Sequence, residues 1–357
     1  MTDSVADTLA AFARGEIVIV TDDDDRENEG DLIVAATLCT PEKMAFIIRH
    51  SSGIVCAPIT GAEARRLRLD PMVAQNDSAH TTAFTVSIDY KPGSTTGISA
   101  EERTSTCRAL ANPNAGANDF ARPGHIFPLI AREGGVLFRS GHTEAAVDLC
   151  TLSGLPPVGV ICEMMNDDGT VMRGPQIAEF AQKHGLRHVT IADMIAYRQS
   201  REKLIERVAE FTCDSPIGKL SGFAFRSPFD PVQHLAFVHG DIGKGTNVLT
   251  RFHRSNVMED VFGGAKSIHA ALEQFRANGS GVMVFLRDGA AGVPVSPIGQ
   301  QSSVEDQRIK VWREVGVGAQ ILRDLGISTI RNLSKSGGSF AGLSGFGIEI
   351  VEAVRLG

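Results

Sequence analysis

No Cys-x-x-Cys pair occurs in this chain: its six cysteines stand at 39, 56, 107, 150, 162 and 213. That scatter offers neither a paired-thiol metal site nor a redox motif. The N-terminal stretch MTDSVADTLAAFARGE is acidic and lacks the basic start and apolar centre of a signal peptide. No apolar run is long enough for a transmembrane helix. A cytoplasmic location is therefore expected, with thiols kept free by a reducing environment and most of them acting as small core residues. Positive charge is not in excess either. With 35 Lys and Arg against 42 Asp and Glu, the net charge of -7 gives no general electrostatic reason to bind nucleic acid or an anionic membrane. Internal repeats and low-complexity tracts are absent, which excludes a solenoid.

What is present is a globular composition, 43% hydrophobic and 22% charged, over 357 residues, a length that predicts two domains. The first region alternates helical and strand-like segments. Val5, Leu9 and Phe12 share one face of an N-terminal helix, and Thr40-Pro41 reads as an N-cap followed by Pro at the first position of a helix over Pro41–His50. Strands are expected over 17–20, 31–36, 54–57, 82–88, 156–164 and 188–191, and a turn and strand over 134–139. Helices are expected over 142–152 and 175–184. A polar helix-like stretch over 191–210 marks the end of the first domain. Beyond it, strands over 235–239 and 281–286 and helices over 263–277 and 316–325 form a second unit.

The chemistry concentrates in two places. Asp22 to Asp31, DDDDRENEGD, places eight ionisable side chains directly after the apolar run Ile17–Val20. Carboxylates packed so closely repel one another unless a cation sits among them, and a hard divalent ion such as Mg²⁺ suits oxygen ligands. A charge run is also the ordinary mark of a solvated face, and both readings stand at this point. The second place is Arg139-Ser140-Gly141-His142-Thr143-Glu144, which offers a guanidinium, a hydroxyl, a Gly turn and an imidazole at a helix start. Free N–H groups and partial positive charge there suit a phosphate or carboxylate.

Together with 49–56 (RHSSGIVC), 95–100 (TTGISA), 122–128 (RPGHIFP), Glu163 and 166–169 (NDDG), these stretches resemble 3,4-dihydroxy-2-butanone 4-phosphate synthase over roughly residues 8–201. The resemblance implies conversion of ribulose 5-phosphate to 3,4-dihydroxy-2-butanone 4-phosphate and formate in riboflavin biosynthesis. It also implies a pair of Mg²⁺ (or Mn²⁺) ions held by Glu27 and His142. Substrate contacts fall by resemblance on Arg26, Asp31, Arg139, Ser140, Gly141, His142 and Thr143, with Arg103 and Thr106 near the phosphate. His125 and Glu163 match the essential acid/base positions, and Glu27 and Glu163 also face substrate. Asp22 to Asp25 would form a mobile loop that closes over the sugar phosphate. Cys56 falls beside the active site, whereas His50, His80, His184 and His188 read as surface or core residues. A homodimer with active sites near the subunit interface is the implied assembly.

From about Ser215 the chain resembles GTP cyclohydrolase II, through 251–253 (RFH), 260–263 (DVFG) and 316–326 (GVGAQILRDLG). The three thiolates that hold that family's zinc fall here on Asn256, Ser267 and His269, its catalytic Arg near Ala291 and its catalytic Tyr on Val315. An amide, a hydroxyl and an imidazole lack the charge and softness of three thiolates. No zinc and no GTP hydrolysis are expected. The fold class expected is α+β, a mixed-sheet layered α/β synthase domain over 1–205 followed by a second α+β cyclohydrolase II-like domain over 206–357. The alternatives are a bifunctional enzyme and a non-catalytic scaffold.

Overall fold

The structure is a computed structural model that describes all residues except 1, 23–26, 79–80, 204, 228–229, 288–315, 335–342, 344–346 and 357. It divides into two compact units, Met1–Tyr197 and Arg198–Gly357.

The first unit runs α1 (Val5–Ala13), β1 (Val18–Thr21), β2 (Gly30–Ala35), α2 (Pro41–Arg49), β3 (Cys56–Ile59), α3 (Gly61–Arg66), β4 (Ile88–Tyr90), α4 (Ala100–Leu110), β5 (Phe120–Ile130), α5 (His142–Leu152), β6 (Gly159–Glu163), α6 (Pro175–His184), β7 (Arg187–Thr190) and the start of α7 (Ile191–Arg201), whose last residues fall in the second unit. Its seven strands form one mixed sheet in the order β4-β5-β3-β6-β2-β1-β7. β3 lies parallel to β5 and β1 parallel to β7, and the other neighbours are antiparallel.

Alternation along the strands sorts the side chains into two faces. Ile19, Leu32, Val34, Ala57, Ile126, Val160 and Cys162 join one core with Met44 and Ile47 of α2, Cys107 of α4 and Ile177 of α6. The intervening residues, Val18, Val20, Ile33 and Ile161, are just as buried on the other face. There α5 lies against β2, β3 and β6, and α1 against α5. Cys56 therefore faces α5 while Cys162 faces the α2 side, and all six cysteines are free.

Local chemistry explains most helix starts. Thr40 accepts from Lys43 N with Pro41 at the first position, and Ser99 and Glu102 form a capping box on α4. Three sequence expectations fail. Residues 134–139 hold a 3-10 turn at 135–137 in place of a strand, because Gly134 and Gly135 both take positive φ. The stretch 82–87 carries only isolated bridges ahead of the short β4. Past Arg201 the helix expected to reach 210 gives way to a strand from Glu206.

The second unit contains β8 (Glu206–Ser215), β9 (Gly218–Ser227), β10 (Asp230–His239), β11 (Val248–Arg254), α8 (Lys266–Asn278), β12 (Gly281–Leu286), a helix over 316–324, β13 (Thr329–Ser334) and β14 (Glu349–Arg355). Its sheet is ordered β14-β13-β11-β12-β10-β9-β8. Val317, Ala319, Ile321 and Leu322 pack on one face, and Ala271, Leu272 and Phe275 of α8 on the other. Residues 198–202 belong to this unit. Arg198 pairs with Glu202 at 2.6 Å, and Gln320 Nε2 donates to the carbonyls of Gln199 and Glu202.

Candidate active site

The first sheet sets the site through one cross-strand row. Phe127, Cys56 and Ile161 are register partners on β5, β3 and β6. Two residues beyond Ile161, Glu163 pairs with Asp31 on β2, and His125 lies two residues before Phe127 on β5. Steps of two preserve the face, so Glu163 and Asp31 stand on the α5 side at one end of the sheet.

His142 enters this row from the first turn of α5. Gly141 is the N-cap, and a Cβ there would overlap the Arg139 guanidinium. Arg139 Nη1 donates to Glu144 Oε2 at 2.7 Å and Nη2 to Thr82 Oγ1, which fixes the turn before the helix. Ser140, His142 and Thr143 are buried with it. His142 Nδ1 lies 3.8 Å from Glu27 Oε2 and 3.9 Å from Asp31 Oδ1, too far for direct hydrogen bonds but close for charge.

Asp22, Glu27 and His142 each offer a ligand atom within 4.8 Å of the others. Asp22 is the member that sequence reasoning missed. Expected in a mobile loop, its buried carboxylate instead accepts from Glu27 N at 3.1 Å and Glu29 N at 2.9 Å, pinning the two ends of the acidic turn. A charge run gives no hint of which carboxylate turns inward; the apolar strand leading straight into it was the available signal. Arg26, expected to contact substrate, and Asp23 to Asp25 lie outside the described residues.

The electrostatics are those of a cation site. Burial pushes the Asp31 carboxyl up to about 7, opposed by His142 and aided by Glu163, Glu27 and Glu29. Burial also raises Glu29, with Glu163 and Glu27 adding to it. For His142 burial favours the neutral ring, but Asp31, Glu27 and Asp22 outweigh it and raise the imidazole to about 9. Asp31 Oδ1 and His142 Nε2 are buried with no hydrogen-bond partner among the described protein atoms. Orphaned buried atoms of this kind carry a cost that a bound ion removes, and a donor set of carboxylate oxygens with one imidazole fits a divalent metal. The residues present fit the group.

The other expected residues sit around this centre. Arg103 is buried on α4 and donates to Gly53 O and Ile98 O, each at 3.0 Å. Thr106 gives its hydroxyl hydrogen to Glu102 O and accepts from Tyr90 N. His125 is held by Asp89, with Nδ1 to Oδ2 at 2.7 Å. Ser52 N donates to Glu163 O at 2.8 Å, which fixes the end of β6.

Residues 6–197 match the family model of 3,4-dihydroxy-2-butanone 4-phosphate synthase. The chain belongs to this family. Its activity is the conversion of D-ribulose 5-phosphate to L-3,4-dihydroxy-2-butanone 4-phosphate and formate in riboflavin biosynthesis. Residues 206–355 match the family model of GTP cyclohydrolase II. The riboflavin biosynthesis protein RibBA of Bacillus cereus is 43% identical, the match covering 100% of this chain and 94% of the relative. The chloroplastic bifunctional riboflavin biosynthesis protein RIBA 1 of Arabidopsis thaliana is 42% identical over 99% of this chain and 69% of its own length. Among solved structures, RibBX of A. baumannii, a two-domain synthase of this family, is 38% identical with a TM-score of 0.84, covering 99% of this chain and 100% of that one. A 3,4-dihydroxy-2-butanone 4-phosphate synthase in complex with two magnesium ions is 47% identical over 56% of this chain and 98% of its own, TM-score 0.55.

In the second unit the three positions that resemblance assigns to zinc do not fit it. Asn256 is an amide whose Oδ1 accepts from Met258 N and whose backbone N donates to Asp260 Oδ2. Asp260 in turn meets His253 Nε2 at 2.9 Å, and His253 stacks on Phe285. Ser267 and His269 lie on α8. Ala291 and Val315 lie outside the described residues.

Proposed function

We propose that Glu27 and His142, joined by Asp22, hold the catalytic Mg²⁺ (or Mn²⁺) of the first unit, two ions per site with water and substrate oxygens completing their shells. The observation that carries this is the convergence of three ligand atoms beside Asp31 and Glu163 on one face of the sheet. The two magnesium ions of the related synthase structure support the number. When bound, the metal supplies Lewis-acid stabilisation of negative charge on the sugar oxygens, worth several kcal/mol.

The chain's own residues do the rest. His125 and Glu163 move protons on the sugar as general acid and base. Asp31 orients a sugar hydroxyl, and the half-exposed Ile54 forms an apolar floor under the carbon skeleton. Arg139, Ser140, Gly141 and Thr143 bring the positive end of α5 to an anionic group of the substrate. Arg103 reaches the phosphate with the guanidinium hydrogens left after its backbone bonds. For Thr106 the geometry favours a wall-forming role, since its only hydroxyl hydrogen is given to Glu102. By resemblance Arg26 contacts the substrate.

The substrate is a small sugar phosphate, the assembly a homodimer, and the location cytoplasmic. The synthase domain is taken as 1–205 and the cyclohydrolase II-like domain as 206–357, the latter without zinc or GTP hydrolysis. A bifunctional enzyme is the second reading, favoured by the match over 206–355 and by the bifunctional plant relative. Titration with Mn²⁺ followed by EPR tests the site. About two ions per protomer are expected, with both lost from Glu27→Ala and His142→Ala; unchanged binding by those variants would move the metal elsewhere.

A further inference from the structure

One of the buried carboxylates outside the catalytic set touches His125. Asp89, on β4, is 9% exposed and grips His125 twice: Oδ1 accepts the His125 backbone N–H at 2.8 Å, and Oδ2 meets Nδ1 at 2.7 Å. The strands are shaped around this contact. Between β4 and β5 the register jumps, Ile88 pairing with Ile126 but Asp89 with Ala121, so residues 122–125 bulge around the Asp89 side chain. Two glycines make the space. A Cβ on Gly124 would overlap the backbone of Ile88, and one on Gly97, whose φ is +84°, would overlap the Asp89 carboxylate. Gly124 N also donates to Ser87 Oγ at 3.2 Å.

A bulge, a positive-φ glycine and a carboxylate that holds both the backbone and the ring of one histidine exceed what a surface strand needs. We propose that Asp89 is a positioning residue for the synthase reaction: it fixes the His125 ring with the proton on Nδ1 and presents Nε2 to the substrate. Nδ1–H donates to a carboxylate, so Nε2 is the basic nitrogen, and the backbone grip stops the ring from translating along β5. An orienting carboxylate of this kind acts on tautomer and angle without touching the reacting atoms. This rests on His125 being the acid/base residue.

The test uses the full-length protein and the variants Asp89→Asn, His125→Ala and their combination. Asp89→Asn keeps the size of the side chain but offers Nδ1 an amide that can demand the opposite tautomer. We expect kcat to fall about 10²-fold with KM within about threefold, an unchanged thermal midpoint, and no further loss when Asp89→Asn is added to His125→Ala. The ring ¹⁵N spectrum of wild-type His125 should report Nδ1–H with Nε2 bare, a readout that needs no variant to fold. An inactive His125→Ala beside an undiminished Asp89→Asn, additive losses in the double variant, or a ring protonated on Nε2 would each overturn the proposal. A fully active His125→Ala would instead remove the assignment of His125 itself, and this inference with it.

Discussion

At the scale of single residues, the metal-free site is an unstable arrangement of charge, and its titration follows from that. Asp31, raised to about 7 from the ordinary 3.8, favours the fold while protonated, so its contribution is lost as pH rises through 7. His142, raised to about 9, contributes fully below 6.5 and loses that contribution as pH rises through 9. Both signs agree: metal-free protein should lose stability between about pH 4 and pH 9, through Asp31 up to about 7 and through His142 from about 6.5 upward. A divalent ion needs the His142 ring neutral and gains from an ionised Asp31 beside it, so its binding strengthens over the same range. The rise in melting temperature on adding Mg²⁺ should therefore be larger near pH 8.5 than near pH 6, by about 2–4 °C for each kcal/mol gained. A shift that is equal at both pH values, or larger at the lower one, would contradict the assignment. The residues behind this behaviour were legible from sequence only as types and by resemblance. The acidic run announced carboxylates, but which of them turn inward depends on the β2 to β6 register, which brings Asp31 and Glu163 together from 132 positions apart.

At the scale of elements, the helices were the readable part, because their starts are written locally. Pro41 after Thr40, Gly141 before His142 and Pro175 before the last apolar stripe each mark a boundary that the structure keeps. Strands were harder. β5 carries Pro123 and Gly124 in its first half, chemistry that ordinarily marks a turn, and only pairing with β3 and β4 holds it extended. That tertiary override hid the setting of His125. Two predictions belong here. Ser99→Ala removes the N-cap of α4 and should cost about 1 kcal/mol by denaturant unfolding, with little change in kcat because Arg103 keeps its bonds to Gly53 and Ile98. Gly141→Ala should be far worse for activity than for stability, since the added methyl pushes on Arg139 at the turn that aims His142. A kcat within about threefold of wild type would argue that this turn adapts freely, against the preorganisation expected of such sites.

At the scale of the whole molecule, two units share a chain but not a degree of chemical completeness. Among the described residues the only cluster of three metal-capable side chains is in the first unit, and no helix is long and apolar enough to cross a membrane. The second unit keeps a packed sheet with Phe275 and Phe225 fully buried. Where zinc would be held by resemblance, Asn256 caps the next turn and Asp260 pairs with His253. Purified protein should carry no stoichiometric zinc by elemental analysis and release no formate from GTP; one zinc per chain with GTP turnover would establish the bifunctional reading. Light scattering should give the mass of at least a dimer. A monomer with full activity would remove the interface from the account.

The most direct test of the central claim is formate release from ribulose 5-phosphate, compared across EDTA-treated protein, protein resupplied with Mg²⁺, and the Glu27→Ala variant. EDTA should abolish product, Mg²⁺ should restore it, and Glu27→Ala should lose at least about 10²-fold, since changing residues that only orient metal ligands already costs about 10–100-fold in metal sites. Undiminished turnover in EDTA, or in Glu27→Ala, would contradict it.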